Sequence, residues 1–276
     1  MNINHILTPV DFSQCSTDAL QVAAQLAGMS NAKITILHVY SVPIPASDIA
    51  FATDATQYRS LETEARYKLE ELKTQISALD SIEVMFELDC SYPVRAISSK
   101  AKQLDADLIV MGTMGAHGLS EIFIGTNAAD TVTEAPCPVL CTSLGITELH
   151  PRKIALATDF KHIEQTSLDL VKQLATLFNA EIEIMHIQSE TGTIDVEKSA
   201  EALNLHHIFD GYKHSYHFLN DENTIKGIER FIASKEVDLL VTIHRDRTLL
   251  ERILGTSVTR KMAMHLPVPL LAIPTS

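Results

Sequence analysis

Short apolar runs alternate with stretches of helical period along most of the chain. HILTPV (5–10) and KIALAT (153–158) read as buried strands. Each is followed by a helical pattern, carried by Ala19, Val22, Ala23 and Leu26 in the first case and by Leu168, Val171, Leu174 and Ala175 in the second. KITILHV (33–39) and EIEIMHI (181–187) are β-branched strands. In the first half Leu61, Ala65, Leu69, Leu72 and Ile76 recur at i+3/i+4, which predicts a long helix. The pattern then predicts a strand at IEVMFEL (82–88), a helix around Val94–Leu104, a strand at DLIVMG (107–112), a helix starting near Gly125–Thr126 and a last strand at PVLCT (138–142). Strands that alternate with helices make a mostly parallel sheet covered on both faces. Right-handed crossovers then give a doubly wound α/β domain.

The pattern occurs twice. A shift of 148 lays residues 153–190 on residues 5–42 without a gap, so that Asp159 falls on Asp11, Phe160 on Phe12, Asn179-Ala180 on Asn31-Ala32 and His186 on His38. The tails match too, ADLIVMG…IGTN…PCPVLCT against VDLLVTI…LGTS…PVPLLAI. Gly145 and Pro151 punctuate the stretch between the copies. Two tandem domains follow, 1–146 and 147–276, a division that the length of 276 residues accommodates. The proline-punctuated final strands would be exposed edges in isolated domains.

Composition narrows the function. Net charge is −13, of which the first domain carries −9 (8 Lys and Arg against 17 Asp and Glu) and the second −4 (14 against 18). No basic stripe offers a nucleic-acid surface. No apolar run is long enough to span a membrane. MNINHILTPVDFS reads as a first strand rather than a signal peptide, so a cytoplasmic location is expected. The four cysteines form no CxxC pair and read as reduced thiols.

Candidate chemistry gathers at MGTMGAHGLSEIFIGTN (111–127), straight after a buried strand. In a doubly wound sheet ligands sit beyond the carboxyl ends of the strands, where Asp11 and Gly112 both fall. Gly112, Gly115 and Gly125 have the spacing G-x2-G-x9-G, and Thr126 follows. Glycines let backbone N–H groups approach a ligand closely, and a helix opening at Gly125-Thr126 offers free N–H groups and a positive dipole end to an anion. A phosphate cradle and a tight turn with a helix start both fit this spacing. The loop is neither a Walker A motif nor the GxGxxG fingerprint. It holds no Lys or Arg between Gly112 and Gly125, which leaves backbone dipoles, a metal ion or solvent to meet phosphate charge.

TPVDFS, LHVY, DLIVMGTMGAHGLSEIFIGTN and APCPVLCT together resemble the universal stress protein family, in order and in spacing, and both halves share the likeness. The resemblance implies an adenine-nucleotide-binding α/β fold. It implies ATP, with or without magnesium, in the first domain. Gly112, Gly115, Gly125 and Thr126 would meet the phosphates and ribose, with Asn127 beside them. Asp11 would lie near ribose and adenine, preceded by Pro9 and Val10. The Val39 backbone would read the adenine edge, Met111 would flank the pocket, and His117 would be within reach of a phosphate. The family pairs domains through the last strand, which implies that the two copies pair within this chain as a pseudo-dimer. A homodimer of the tandem chain is compatible with this.

The second copy keeps Asp159, Gly255 and Thr256 but has lost the first two glycines. Thr242 or Ile243 takes the first position, according to the alignment, and HRDRTLLER supplies Arg245, Arg247 and Arg252 instead. Those arginines could fill the cleft, pair with Asp246 and Glu251, or bind another anion. The retention of Asp159 without the loop shows that Asp11 has two readings, ligand contact and turn residue. His38 and His186 read as structural, with one ring nitrogen satisfied by backbone. His206, His207, His214 and His217 in NLHHIFDGYKHSYHF read as solvated or core histidines, with metal binding the lesser reading. No nucleophile elbow or fixed carboxylate pair appears. The expectation is a nucleotide-dependent sensor or regulator with little or no hydrolysis. The alternatives are a metal- or anion-dependent hydrolase or transferase, and a scaffold without ligand.

Overall fold

The computed structural model describes residues 2–40, 55–113, 126–158, 165–188, 205–244 and 268–274. The first half runs β1 (His5–Val10), α1 (Gln14–Ser30), β2 (Lys33–Val39), α2 (Ala55–Gln75), a short 3-10 turn (Ser77–Leu79), β3 (Val84–Asp89), α3 (Pro93–Gln103), β4 (Leu108–Gly112), α4 (Thr126–Glu134) and β5 (Val139–Thr142). The second half repeats it with β6 (Lys153–Ala157), α5 (Gln165–Phe178), β7 (Glu181–Gln188), β8 (His214–Asn220), α6 (Thr224–Lys235), β9 (Leu239–His244) and β10 (Leu270–Pro274).

The ten strands form one sheet in the order β3-β2-β1-β4-β5-β10-β9-β6-β7-β8, so the second half mirrors the first. Every pairing within a half is parallel. The halves join through one antiparallel pairing, in which Leu270 faces Cys141, Leu271 faces Leu140 and Ala272 faces Val139. The two proline-flanked last strands thus cover each other inside one chain, which removes two exposed edges.

Alternate strand residues feed two cores. Ile6, Ile34 and Ile36 pack with α1 (Leu20, Leu26), α2 (Leu69, Leu72) and α5 (Leu168, Val171) on one face. Leu7, Leu37 and Ile109 pack with α3 (Ile97), α4 (Val132) and α6 (Ile228, Phe231) on the other. Each helix contributes the residues of its apolar stripe. Asn31 and Asn179 end α1 and α5 with φ of 56° and 51°, a left-handed cap that asparagine tolerates well. Asp107 Oδ2 accepts from the Asn4 and His5 N–H groups, and Asp238 Oδ2 accepts from those of Arg152 and Lys153. The same brace therefore holds the amino ends of β1 and β6.

Between β5 and β6 the chain carries no strand or helix and is stapled to α1. The buried Asp18 carboxylate accepts from Gly145 N–H (2.7 Å), and the Gln25 amide both donates to Leu149 O and accepts from Leu149 N–H.

Candidate functional site

The site follows from how β1 meets its two neighbours. Asn4 O accepts from Lys33 N–H on the β2 side, and His5 O accepts from Asp107 N–H on the β4 side. Backbone directions alternate along a strand, so the odd-numbered residues of β1 turn their polar groups toward β4. Pro9 is one of them, and it has no N–H to give. Pairing between β1 and β4 extends only over Ile6–Leu108 and Leu7–Ile109, whereas pairing with β2 continues to Val10–His38. The carboxyl ends of β1 and β4 lie side by side at the point where the strand order reverses, the place where open α/β sheets take ligands.

In the second half Ala157 stands where Pro9 stands in the first. There β6 and β9 remain paired through Leu156–Val241 and Ala157–Thr242. The registers also decide the equivalence that the sequence left open. Ile109 faces Val139 as Leu240 faces Leu270, and Gly112 faces Thr142 as Ile243 faces Ile273. Ile243, not Thr242, occupies the place of Gly112.

Asp11 follows β1 as the first residue of a turn. Its Oδ1 accepts from Ser13 N–H (3.0 Å) and from the Ser13 hydroxyl (2.5 Å), an Asx turn. Ser13 in turn caps α1, accepting from Ser16 N–H. Phe12 between them has φ 62°, a strained conformation for an aromatic residue. Its ring stacks on His38, 4.4 Å between centroids, and His38 Nδ1 donates to Val10 O at 2.8 Å. The structural role of Asp11 is therefore explicit, and the residue remains exposed past the carboxyl end of β1. His186 makes the equivalent bond to Thr158 O at 2.8 Å, so both histidines have the backbone partner expected of them.

Pro9 and Val10 end β1, half-exposed Val39 ends β2, and buried Met111 and Gly112 end β4. Thr126 opens α4 and Asn127 lies exposed in its first turn. Gly115, His117 and Gly125 lie outside the described residues, as do Asp159, Arg245, Arg247, Arg252, Gly255 and Thr256. Gly112 has a packing reason of its own. A Cβ there would lie 2.7 Å from Cys15 Sγ and 2.8 Å from Cys15 O, so its bareness lets the first turn of α1 settle on β4. Lys68 of α2 is a cation the sequence pattern did not single out. Its Nζ lies 5.8 Å from the centre of the Phe12 ring, which brings positive charge to the turn that precedes α1. Nothing in the local sequence around Lys68 distinguishes it from the other surface lysines of α2.

The histidine-rich stretch splits between the two faces of β8. His217 donates from Nε2 to the buried Glu183 carboxylate and packs on Phe231 of α6. Burial pushes the Glu183 carboxyl up, but hydrogen bonds from Ser215 and His217 outweigh it and leave the group below its usual value. His214 lies on the other face, beside Phe209 and His206. Among the described residues no group of three or more His, Cys, Asp or Glu is placed to hold a metal ion, and no helix is long and apolar enough to cross a membrane.

Comparison with known proteins agrees with the tandem arrangement. The universal stress protein "Sll1388" of Synechocystis is 26% identical over 153 residues, 51% of this chain and 97% of the relative. A universal stress protein of Thermus aquaticus is 32% identical over 137 residues, 49% of this chain and 95% of the relative. Each thus corresponds to half of the chain. The crystal structure of a universal stress protein from Archaeoglobus fulgidus covers all of both chains at 18% identity with a TM-score of 0.73. A Pseudomonas aeruginosa protein of unknown function covers 99% of this chain and 92% of its own at 16% identity, with a TM-score of 0.64. These two likenesses establish the shared fold. The profile of the universal stress protein family matches twice, over residues 2–143 and 150–274, and the chain belongs to that family as a tandem member.

Proposed function

We propose that the first domain (1–146) binds one adenine nucleotide, ATP, at the carboxyl ends of β1 and β4, and that the second (147–276) is a structural partner that has lost the site. The protein then acts as a nucleotide-dependent regulator with little or no turnover. The observation that carries this reading is the contrast between the halves: hydrogen-bonded pairing of β1 with β4 stops at Leu7–Ile109, before Pro9, while β6 and β9 stay paired to Ala157–Thr242. The carboxyl ends of these two strands carry the residues expected to meet a nucleotide, with Asp11 after β1, Gly112 at the end of β4 and the amino end of α4 at Thr126 beyond. That helix end favours phosphate by its free N–H groups and its dipole. Slow turnover is expected because the motif holds no lysine or arginine to stabilise charge on a transferring phosphoryl group. A cytoplasmic location and a role in stress responses accord with this reading.

The test is the nucleotide content of protein purified without added ligand, denatured and analysed for what it releases, together with calorimetry of ATP in magnesium. About one nucleotide per chain, lost in Gly115→Val, is the expected result. Gly112 is unsuited to this test because a side chain there meets Cys15. A ratio near two would return the second domain to function. Neither retention nor binding would leave a ligand-free scaffold.

A further inference from the structure

We propose that His206 and His214 form a two-imidazole binding site for a late first-row divalent cation such as nickel, copper or zinc. The site is independent of the proposed nucleotide site and lies by the outermost strand of the second half. His206 sits in a helical turn (205–208), and His214 is the first residue of β8. The chain reverses between them through Gly211, with φ of +85°. His206 Nδ1 then lies 2.9 Å from His214 Nε2.

The arrangement is anchored rather than incidental. Phe209 is fully buried and ties the turn to the core, and the Phe209 and Tyr212 N–H groups close it on Leu205 O and Phe209 O. The His214 ring is flanked by Phe209 at 6.2 Å and by Tyr216 edge-on at 5.6 Å. Its Nδ1 lies 2.9 Å from Tyr212 O. A carbonyl oxygen only accepts, so Nδ1 carries the proton and Nε2 presents its lone pair. A backbone carbonyl holding the far nitrogen is the outer support that metal-binding histidines use to fix their tautomer. His206 fills that lone pair by donating from Nδ1. His206 is exposed, so its proton can move through solvent from Nδ1 to Nε2, and its ring can swing off the hydrogen-bond line to share an ion with His214.

Lone pairs aimed along one 2.9 Å line leave no room for an ion, so binding turns the exposed His206 ring until both nitrogens aim at one point. With metal–nitrogen bonds of about 2.0–2.1 Å, two ligands lie about 2.9 Å apart at a right angle and about 3.3 Å apart at a tetrahedral one. Imidazole pairs select nickel, copper and zinc over magnesium and calcium. No third His, Cys, Asp or Glu among the described residues joins the pair, so water completes the coordination.

The experiment is calorimetric titration of the untagged full chain with nickel and with zinc chloride in a weakly coordinating buffer. One ion per chain is expected, with binding that weakens as the pH is lowered because both rings must be deprotonated. His206→Ala and His214→Ala should each weaken it by about tenfold or more, a loss of the size attached even to outer-shell partners. His207→Ala should leave it unchanged, since that ring lies 6.1 Å from His206 and outside the pair. The melting temperature should rise with metal in the wild type and not in His206→Ala, whose exposed side chain can be removed without disturbing the core. Equal binding in wild type and His206→Ala, an equal loss in His207→Ala, or no heat with either metal would overturn the assignment.

Discussion

Pro9 and Ala157 stand at the same point of the two repeats, and Ala157 pairs with β9 where Pro9 does not pair with β4. The difference is one N–H. Pro9→Ala supplies it, and the expected result is a slowly exchanging amide at position 9 with β1–β4 pairing extended to Met111. Global stability is a poor readout. The new hydrogen bond contributes about 0.5–1.5 kcal/mol, and removing proline from the unfolded chain costs about 0.4–1 kcal/mol in the other direction. Amide exchange by NMR decides the matter, and an amide at position 9 that exchanges as fast as an exposed one would sink it. If the bare strand end at Pro9 serves the nucleotide site, the same variant binds ATP more weakly.

Gly112 answers to Cys15 before it answers to any ligand. A methyl group at 112 would press on the Cys15 sulfur and on the Cys15 backbone oxygen and carbon, all within 2.9 Å. Gly112→Ala should therefore destabilise the protein by about 1–3 kcal/mol, the usual cost of forcing volume into a packed site. Adding Cys15→Ala should recover only part of the loss, because the backbone atoms remain. Urea denaturation of the single and double variants measures both, and full recovery in the double variant would refute the backbone contribution.

Much of this architecture was legible in the chain. HILTPV gave its strand because six residues bounded by polar neighbours decide it locally. The repeat predicted two α/β halves, the prolines around PVLCT and PVPLLAI marked the last strands as edges, and the family resemblance implied that those edges would meet, as β5 and β10 do. The turn at Asp11 and the backbone bonds of His38 and His186 were legible for the same reason, since they depend on near neighbours or recur at one offset. What stayed hidden depends on neighbours far away in sequence. Pro9 ends the β1–β4 hydrogen bonding only because its missing N–H faces β4 rather than β2, a parity that needs the sheet. The fit of Gly112 over Cys15, the grip of Gln25 on Leu149 and the approach of Lys68 to Phe12 bring together residues whose local patterns say nothing of each other.

His5 should make the fold sensitive to mild acid. Its ring is buried, donating from Nδ1 to Leu104 O and bonded through Nε2 to the buried Thr35 hydroxyl. Burial, and then the charge of Lys33, hold its pKa below the ordinary 6.5. The folded state therefore binds this proton less readily than the unfolded state. The stabilising contribution is complete above 6.5 and is lost as pH falls from there through the depressed value. His5→Gln, which keeps a donor and an acceptor, should lose less stability than the wild type between about pH 7 and about pH 5. Urea midpoints across that range measure it, and parallel curves for the two proteins would exclude His5 as the source.

The four thiols should separate into one fast and three slow. Cys90 is exposed just past β3, whereas Cys15, Cys137 and Cys141 are buried. Burial, and then the nearby Asp107 charge, push the Cys137 thiol up to about 12. Burial, and then Cys15, do the same for Cys141, also to about 12. Reactivity follows the thiolate, so neither is populated in its reactive form near neutrality. An aromatic disulfide reagent at about pH 8 should label one thiol per native chain quickly and all four after denaturation. Cys90→Ser should abolish the fast phase. The slow phase then reports opening of the sheet where the halves meet, because Cys141 faces Leu270 across the antiparallel pairing and Cys15 Sγ donates to Thr142 O. Rapid labelling of more than one thiol in the native protein would mean that β5 and β10 part readily, and the joined ten-stranded sheet would then be a minor state in solution.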